Sequence, residues 1–405
     1  MNQKVFAVIG ANFGDEGKGL ATDLLCGGHP SCAVIKHNGG AQAGHTVHRD
    51  GKRFVFHQLS SGSFCGADTL FADTYYADLY KLSEEACGFR SAAGFVPRIY
   101  CTPSAQTVYF GDVLTNQILE KSRGENRHGS CGMGINEAYL RSRAGFGLTV
   151  YDFLSKSFKE LCGAVDDIRR KYTLRRLDEL GISVPEEYEE LLLSDSAIPR
   201  AVSVMRQNAC EYVTAVCDPE AFLKQRGLVI FESGQGLLLD VEYKKYAPYL
   251  TSSHTGLYNP VLLSGRYGLH ISNVTYVTRT YVTRHGNGPL PYEFDRKEYG
   301  LPEDETNHTN EWQGAFRYAA HGFSLQRIRE DLSLLGYPAS SSLLFTHADE
   351  TDGMIITPDS LRGLDGFLKA ANADSVFSDL FVSYGRRAAD VEKYMTSAGA
   401  SEGSV

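Results

Sequence analysis

The sequence predicts an α/β protein: a large, mainly parallel central sheet with surrounding helices and a helical insertion. Three observations predict it. Short apolar runs alternate with helical stretches at a spacing that suits parallel strands. Three of those runs pass directly into glycine-rich turns, which bring backbone close to ligands at strand ends. Residues 151–226 break the alternation. They are rich in charge, with apolar residues at i, i+3 in Leu174, Leu177 and Leu180, and read as inserted helices.

Taken in order, Val5–Ile9 is an apolar run long enough for one buried strand, and Leu20 to Leu25 begins a helix. Ala33–Lys36 and Phe54–Phe56 follow as strands. Beyond the insertion come Leu228–Phe231, Val274–Val282, Ser342–Phe345 and Leu380–Val382. No repeat and no low-complexity linker divides the chain. Residues 1–395 therefore read as one compact unit, and 396–405 as a small, polar, disordered tail.

The 405 residues are 42% apolar and 22% charged, ordinary for a globular protein with a large core. A net charge of −9 without a Lys/Arg-rich block argues against nucleic acid as a partner, but not against a nucleotide ligand. No apolar run reaches the ~18 residues of a membrane span. Nothing like a signal or transit sequence precedes the first strand, so a cytoplasmic protein is expected. Nine scattered cysteines, odd in number and without a C-x-x-C pair, read as mostly structural, reduced thiols and argue against a zinc site.

The first glycine turn carries the most chemistry. Gly14, Gly17 and Gly19 interleave with Asp15, Glu16 and Lys18 between a strand and a helix start. Unpaired N–H groups there bind anions, and Lys18 suits phosphate. A carboxylate in such a cradle repels the ligand unless it binds a metal or moves protons. The P-loop pattern G-x-x-x-x-G-K-[ST] is not met, because Asn12 and Gly19 occupy its first and last fixed positions. The plainer reading is a tight turn with a solvated acid pair. The second turn, Lys36 to Val47, holds Gln42, Ala43, Gly44, His45 and Thr46. A lone histidine is more often structural, but glycine-flanked His45 suits general acid work. His37, His48 and His57 lack metal-ligand spacing and read as structural or surface. The third turn, Ile230 to Asp240, places Gln235 to read an amide-like base edge or orient a phosphate, or simply to face solvent.

Together these turns resemble adenylosuccinate synthetases. Gly14–Gly19 matches that family's G-D-E-G-K-G. Gln42–Thr46 is similar to N-A-G-H-T, and Phe231–Asp240 to F-E-G-A-Q-G-x-L-L-D. Tyr249–Ser253 resembles Y-V-T-S-S. Thr283–Glu293 resembles T-R-V-G-x-G-P-F-P-T-E, and Gly132–Tyr139 resembles G-R-G-I-G-P-A-Y. The resemblance implies a P-loop-related fold, a homodimer of the family kind, and a ligase that joins aspartate to C6 of inosine monophosphate with GTP and Mg²⁺. It implies Asp15 as base and metal ligand, His45 as acid, and Lys18 and Gln235 as catalytic partners. Gly44 would offer a carbonyl to the metal. The nucleotide triphosphate would meet Gly14, Glu16, Gly17, Lys18, Gly19, Gly44, His45, Thr46, His347, Asp349, Ser383 and Gly385. There Asp349 would select guanine (hence GTP over ATP), although an N-cap role for it fits too. The purine monophosphate would meet Asp15, Lys18, Gln42, Ala43, Ser130, Cys131, Gln235 and Thr251, with Arg143 a candidate for the arginine lent by a partner subunit.

The chain departs from the family at the amine. Where the family reads T-T-G-R-R-R-R, this chain reads Asn310 to Arg317, with Asn310, Gln313, Gly314 and Arg317 as the candidate aspartate ligands. That loop is similar to phage-type relatives that act on deoxyguanylate, whereas those relatives usually replace the Asp15 equivalent with serine. The expected activity is therefore formation of adenylosuccinate. The alternatives are a related ligase on (d)GMP or with another amine, or a non-catalytic purine-nucleotide binder.

Overall fold

The computed structural model describes residues 3–307, 311–322 and 325–394. Its centre is a sheet of ten strands: β1 (Lys4–Gly10), β2 (Cys32–Lys36), β3 (Asp68–Phe71), β4 (Ile99–Cys101), β5 (Val213–Ala215), β6 (Leu228–Gly236), β7 (Asn273–Arg279), β8 (Ser340–Thr346), β9 (Asp379–Ser383) and β10 (Val391–Lys393). The spatial order is β10-β9-β8-β7-β1-β6-β2-β3-β4-β5. All neighbours run parallel except β9 and β10, which are antiparallel.

Strands covered on both faces need apolar residues pointing both ways, and the central ones have them over most of their apolar runs. In β1, Val5, Ala7 and Ile9 pack on one face with Phe231, Val274 and Tyr276. Val8 points to the other face, where it meets Leu20 and Ala21 of the helix Lys18–Cys26. This alternation fixes the register Ala7 to Phe231 and Val8 to Glu232. One step further, Glu232 pairs with Lys36 of β2. Two opposite charges thus lie side by side within a buried sheet.

The structure corrects two strand assignments and adds a strand to the insertion. Phe54–Phe56 is a strand, but it belongs to a hairpin of His45–Arg49 with Lys52–Phe56 rather than to the central sheet. The run Val274–Val282 is broken after Arg279, and Val282–His285 joins a separate antiparallel sheet with Phe316–Ala319 and Glu293–Phe294. The stretch 151–226 is helical over Phe158–Ile168 and Ala197–Tyr212, yet it also returns to the sheet as edge strand β5. Its helices bury Phe153, Leu161, Val165, Val202 and Met205 against Phe71 and Ile99. Of the three leucines that suggested a helix face, Leu177 is buried and Leu180 is exposed. No described helix is long and apolar enough to cross a membrane. The segment 396–405 lies outside the described residues.

Parallel strands all deliver their carboxyl ends to one edge of a sheet, and ligands bind there. Here that edge gathers the turns after β1, β2, β6, β7 and β8.

Candidate active site

The turn after β1 is held from within. The Glu16 carboxylate folds back to accept from the N–H groups of Asn12 (3.0 Å) and Gly14 (2.8 Å), and lies 2.6 Å from Lys18 Nζ. Burial would raise the Glu16 pKa, but Lys18 and these N–H donors outweigh it and hold the carboxyl below its ordinary value. The neighbouring strand ends leave no room for side chains. A Cβ on Gly10 or Gly236 would sit 2.2–2.4 Å from the Glu16 carboxylate. Glu16 is therefore a strut of the loop, and only its main chain is left to face a phosphate.

Asp15 is presented differently. It adopts a left-handed φ of 60°, which non-glycine residues rarely hold outside functional turns. Its carbonyl accepts from Arg279 Nε at 2.6 Å, and its carboxylate meets Asn307 Nδ2 at 3.4 Å. Burial raises the Asp15 pKa, against the opposing pull of Arg279 and Lys18. A carboxyl poised in this way accepts a proton more readily than a solvated aspartate.

His45 opens the strand after the second turn, and its Nδ1 lies 3.2 Å from Glu232 Oε1 and 3.4 Å from Ser61 Oγ. Glu232 also contacts Lys36 Nζ at 3.1 Å. Burial pushes against ionised Glu232, yet Lys36 and His45 hold it far below the carboxylate range. Burial lowers the His45 pKa, and Glu232 works against that. The Nδ1 side of the ring is anchored, while Nε2 is buried with no partner among the described residues. A neighbouring pair, Asn38 and Gln235, is joined by Asn38 Nδ2 donating to Gln235 Oε1 at 3.0 Å.

Two cavities meet at these residues. The smaller, about 150 Å³, is lined by Gly17, Lys18, Gly19, Thr46, His347, Asp349 and Gly385 among others. The larger, about 1100 Å³, is lined by Gly14, Gln42, Ala43, Ser130, Cys131, Gln235, Thr251 and Gln313 among others. Asp15, Lys18, Gly44, His45, Thr306 and Asn307 line both. A carboxylate, a buried imidazole and a lysine thus stand in the wall between a chamber built on a helix N-terminus and a second, roomier one.

The profile of the adenylosuccinate synthetase family matches residues 7–314. The chain belongs to the adenylosuccinate synthetase family. Adenylosuccinate synthetase of Halothermothrix orenii is 30% identical over 298 residues, 73% of this chain and 66% of that one. That of Chromohalobacter salexigens is 31% identical over 315 residues, 75% of this chain and 68% of that one. In the first of these the match spans just under two thirds of the relative's length. Two solved structures share the fold. Fully ligated adenylosuccinate synthetase from Plasmodium falciparum aligns over 97% of this chain and 100% of its own, with TM-score 0.70 and 16% identity. The cyanophage S-2L succinoaminodeoxyadenylate synthetase, bound to dGMP and to dATP as an energy donor, aligns over 98% and 96%, with TM-score 0.61 and 19% identity.

With the family in hand, most of the residues suggested by its motifs fall on the two cavities. The exceptions have physical reasons. Ser383 is buried and donates to the Gly385 carbonyl at 2.7 Å, so it shapes the turn rather than facing the small cavity. Arg143 is exposed on the helix Ile135–Arg143 and reaches neither cavity within this chain. Arg317 does not line the large cavity. It pairs with Glu293 at 2.5 Å and donates to the Gly286 and Gly288 carbonyls. Gly314 stands behind Asn287 and is not on the cavity wall. Asn310 lies outside the described residues. His347 has a left-handed φ of 60° and donates or accepts at Thr346 Oγ1, 2.8 Å away, with its pKa driven well down by burial, Arg279 and Arg386.

Sequence reasoning missed Glu232, Lys36, Arg279, Asn38 and the segment Thr306–Asn307. A signal for the first two existed. Lys36 closes the apolar strand β2 and Glu232 directly follows the apolar run Leu228–Phe231, and buried charges need partners.

Proposed function

We propose that this chain is a GTP-dependent ligase that phosphorylates the 6-oxygen of a purine nucleoside monophosphate, with IMP as first candidate, and displaces that phosphate with the amine of aspartate. The observation that carries this reading is the shared wall. A phosphoryl group passing from a triphosphate in the small cavity to a purine in the large one crosses between Asp15 and His45. The 6-oxo group attacks phosphorus well only when N1 loses its proton, and buried Asp15 suits that removal. His45, anchored through Nδ1 by Glu232, holds an unpaired Nε2 that can donate to developing negative charge. Lys18 adds positive charge on the same wall. Asn38 fixes the Gln235 amide beside the purine.

Mg²⁺ fits the donor set, because the Asp15 carboxylate and the Gly44 carbonyl are hard oxygen ligands on that wall. When bound it would neutralise charge on the transferred phosphoryl group. Asp349 is exposed at the small cavity, where its carboxylate suits the N1 and N2 donors of guanine, which adenine lacks. A homodimer supplying an arginine such as Arg143 to its neighbour's monophosphate fits the exposure of that residue.

A second reading, a ligase for (d)GMP, is favoured by the loop Asn310 to Arg317, whose sequence is similar to that of the phage-type relatives. The test is incubation with GTP or ATP, Mg²⁺ and aspartate against IMP, dIMP, GMP and dGMP, reading phosphate release and product mass. An aspartate adduct of IMP is expected. An adduct with dGMP alone would transfer the assignment to the second reading. Binding without turnover of any purine would show a nucleotide-binding paralogue instead.

A further inference from the structure

We propose that His285 holds a carboxylate of the incoming amine, taking the place of the arginines that this chain's loop lacks. The inference rests on the ligase reading above. His285 ends the strand Val282–His285, which pairs with Phe316–Ala319 so that His285 faces Phe316 and Arg284 faces Arg317. Successive side chains of a strand point to opposite faces. Arg284 and Arg317 therefore share one face, and both are occupied there. Arg284 donates to the carbonyls of Pro289 (2.8 Å) and Tyr249 (2.9 Å) and lies 4.7 Å over the Phe13 ring, while Arg317 is held by Glu293 and the Gly286 and Gly288 carbonyls.

The opposite face carries His285 and Phe316, whose ring centroids are 5.9 Å apart. Arg279, which grips the Asp15 carbonyl, lies 5.6 Å over that same Phe316 ring. His285 thus shares its sheet face with the arginine that holds the Asp15 turn, while Arg284, which also borders the large cavity, is already engaged by carbonyls. Its Nε2 is buried with no partner among the described residues, and the residue lines the large cavity together with Asn307 and Gln313. Buried nitrogens of this kind are rare unless something satisfies them. A single imidazole N–H on a cavity wall shared with the amide side chains of Asn307 and Gln313 suits one carboxylate oxygen. The family-like motif has valine at this position, T-R-V-G against Thr283-Arg284-His285-Gly286, so the imidazole is a feature of this chain.

The test varies aspartate at saturating purine monophosphate, GTP and Mg²⁺. His285→Ala should raise KM for aspartate at least tenfold, with KM for the purine within threefold of wild type. His285→Gln, which restores an N–H donor, should recover part of the loss. In wild type carrying the purine monophosphate, the His285 Nε2 resonance in ¹⁵N spectra should shift on adding aspartate. An unchanged KM for aspartate, equal rises in both KM values, or a resonance unmoved by aspartate would overturn the assignment while leaving the ligase reading in place. Wild type that forms no adduct with any amino acid would overturn both.

Discussion

Glu232→Gln isolates the buried charge chain behind His45. The native carboxylate is fully buried and balances Lys36 Nζ at 3.1 Å and His45 Nδ1 at 3.2 Å. Glutamine keeps the shape and removes the charge, so the Lys36 ammonium is left buried without a counter-ion. Breaking one side of such a pair costs about 3–5 kcal/mol, which lowers Tm by roughly 4–6 °C in a chain this long. The second loss is catalytic. Glu232 keeps the imidazolium of His45 accessible against the pull of burial, and general acid catalysis contributes roughly 10²–10⁴-fold. The variant should lose kcat on that scale, keep KM for the purine, and show its alkaline limb of kcat at lower pH. The double variant Lys36→Met with Glu232→Leu removes both charges and should recover melting temperature, since apolar replacements of a buried pair are often neutral. It should not recover kcat. A single variant with kcat within threefold of wild type, or a double variant that regains activity with stability, would refute the positioning role.

Four further outcomes follow from the site. Asp15→Asn should lose at least about 99% of turnover with Tm unchanged or raised, because asparagine tolerates the left-handed φ and needs no desolvated charge; retained activity would remove Asp15 as the base. Arg317→Ala should raise KM for purine and amine together and cost about 1–3 kcal/mol, as the Gly286–Gly288 turn loses its brace; a rise confined to the amine would return Arg317 to the substrate. Asp349→Asn should cut discrimination of GTP over ATP by roughly 10–100-fold, read as the ratio of kcat/KM values. His37 is buried and pushed down to about 3 from 6.5. The folded form resists the proton that the unfolded form takes up, so stability is present above 6.5 and lost as pH falls toward 3. Between pH 6.5 and 5 this amounts to about 2 kcal/mol. Denaturant unfolding of His37→Gln should show a correspondingly shallower fall.

The anion turn was legible because its cause is local. Glycines between an apolar run and a helix start announce themselves in a dozen residues, and Gly14, Asp15, Lys18 and His45 all reach the cavities. The missed strands were short or polar at one end. Ile99–Cys101 and Val213–Ala215 have three residues each, too few to display a period, and Asp68–Phe71 begins with Asp-Thr. Phe54–Phe56 was visible as a strand, but its partner was not, because the neighbouring run His45–Arg49 alternates polar residues. Lys36 and Glu232 acquire their meaning from a contact across 196 residues, and only the register of β2 with β6 supplies it. The chemistry of Arg317 suits a carboxylate substrate, but its own partners, Glu293 and the Gly286 and Gly288 carbonyls, are set by tertiary contacts that the sequence does not display.

The shared wall has a consequence for inhibition. Because Asp15, Lys18, Gly44 and His45 border both chambers, one molecule that tethers a purine monophosphate to a nucleoside triphosphate across that wall would occupy both at once. The second half would then bind at the effective concentration set by the tether, which multiplies affinity without any new contact. A tether of phosphate length would also distinguish this wall from enzymes whose two nucleotides lie in separate clefts. Such a compound would bind poorly wherever the two sites do not abut.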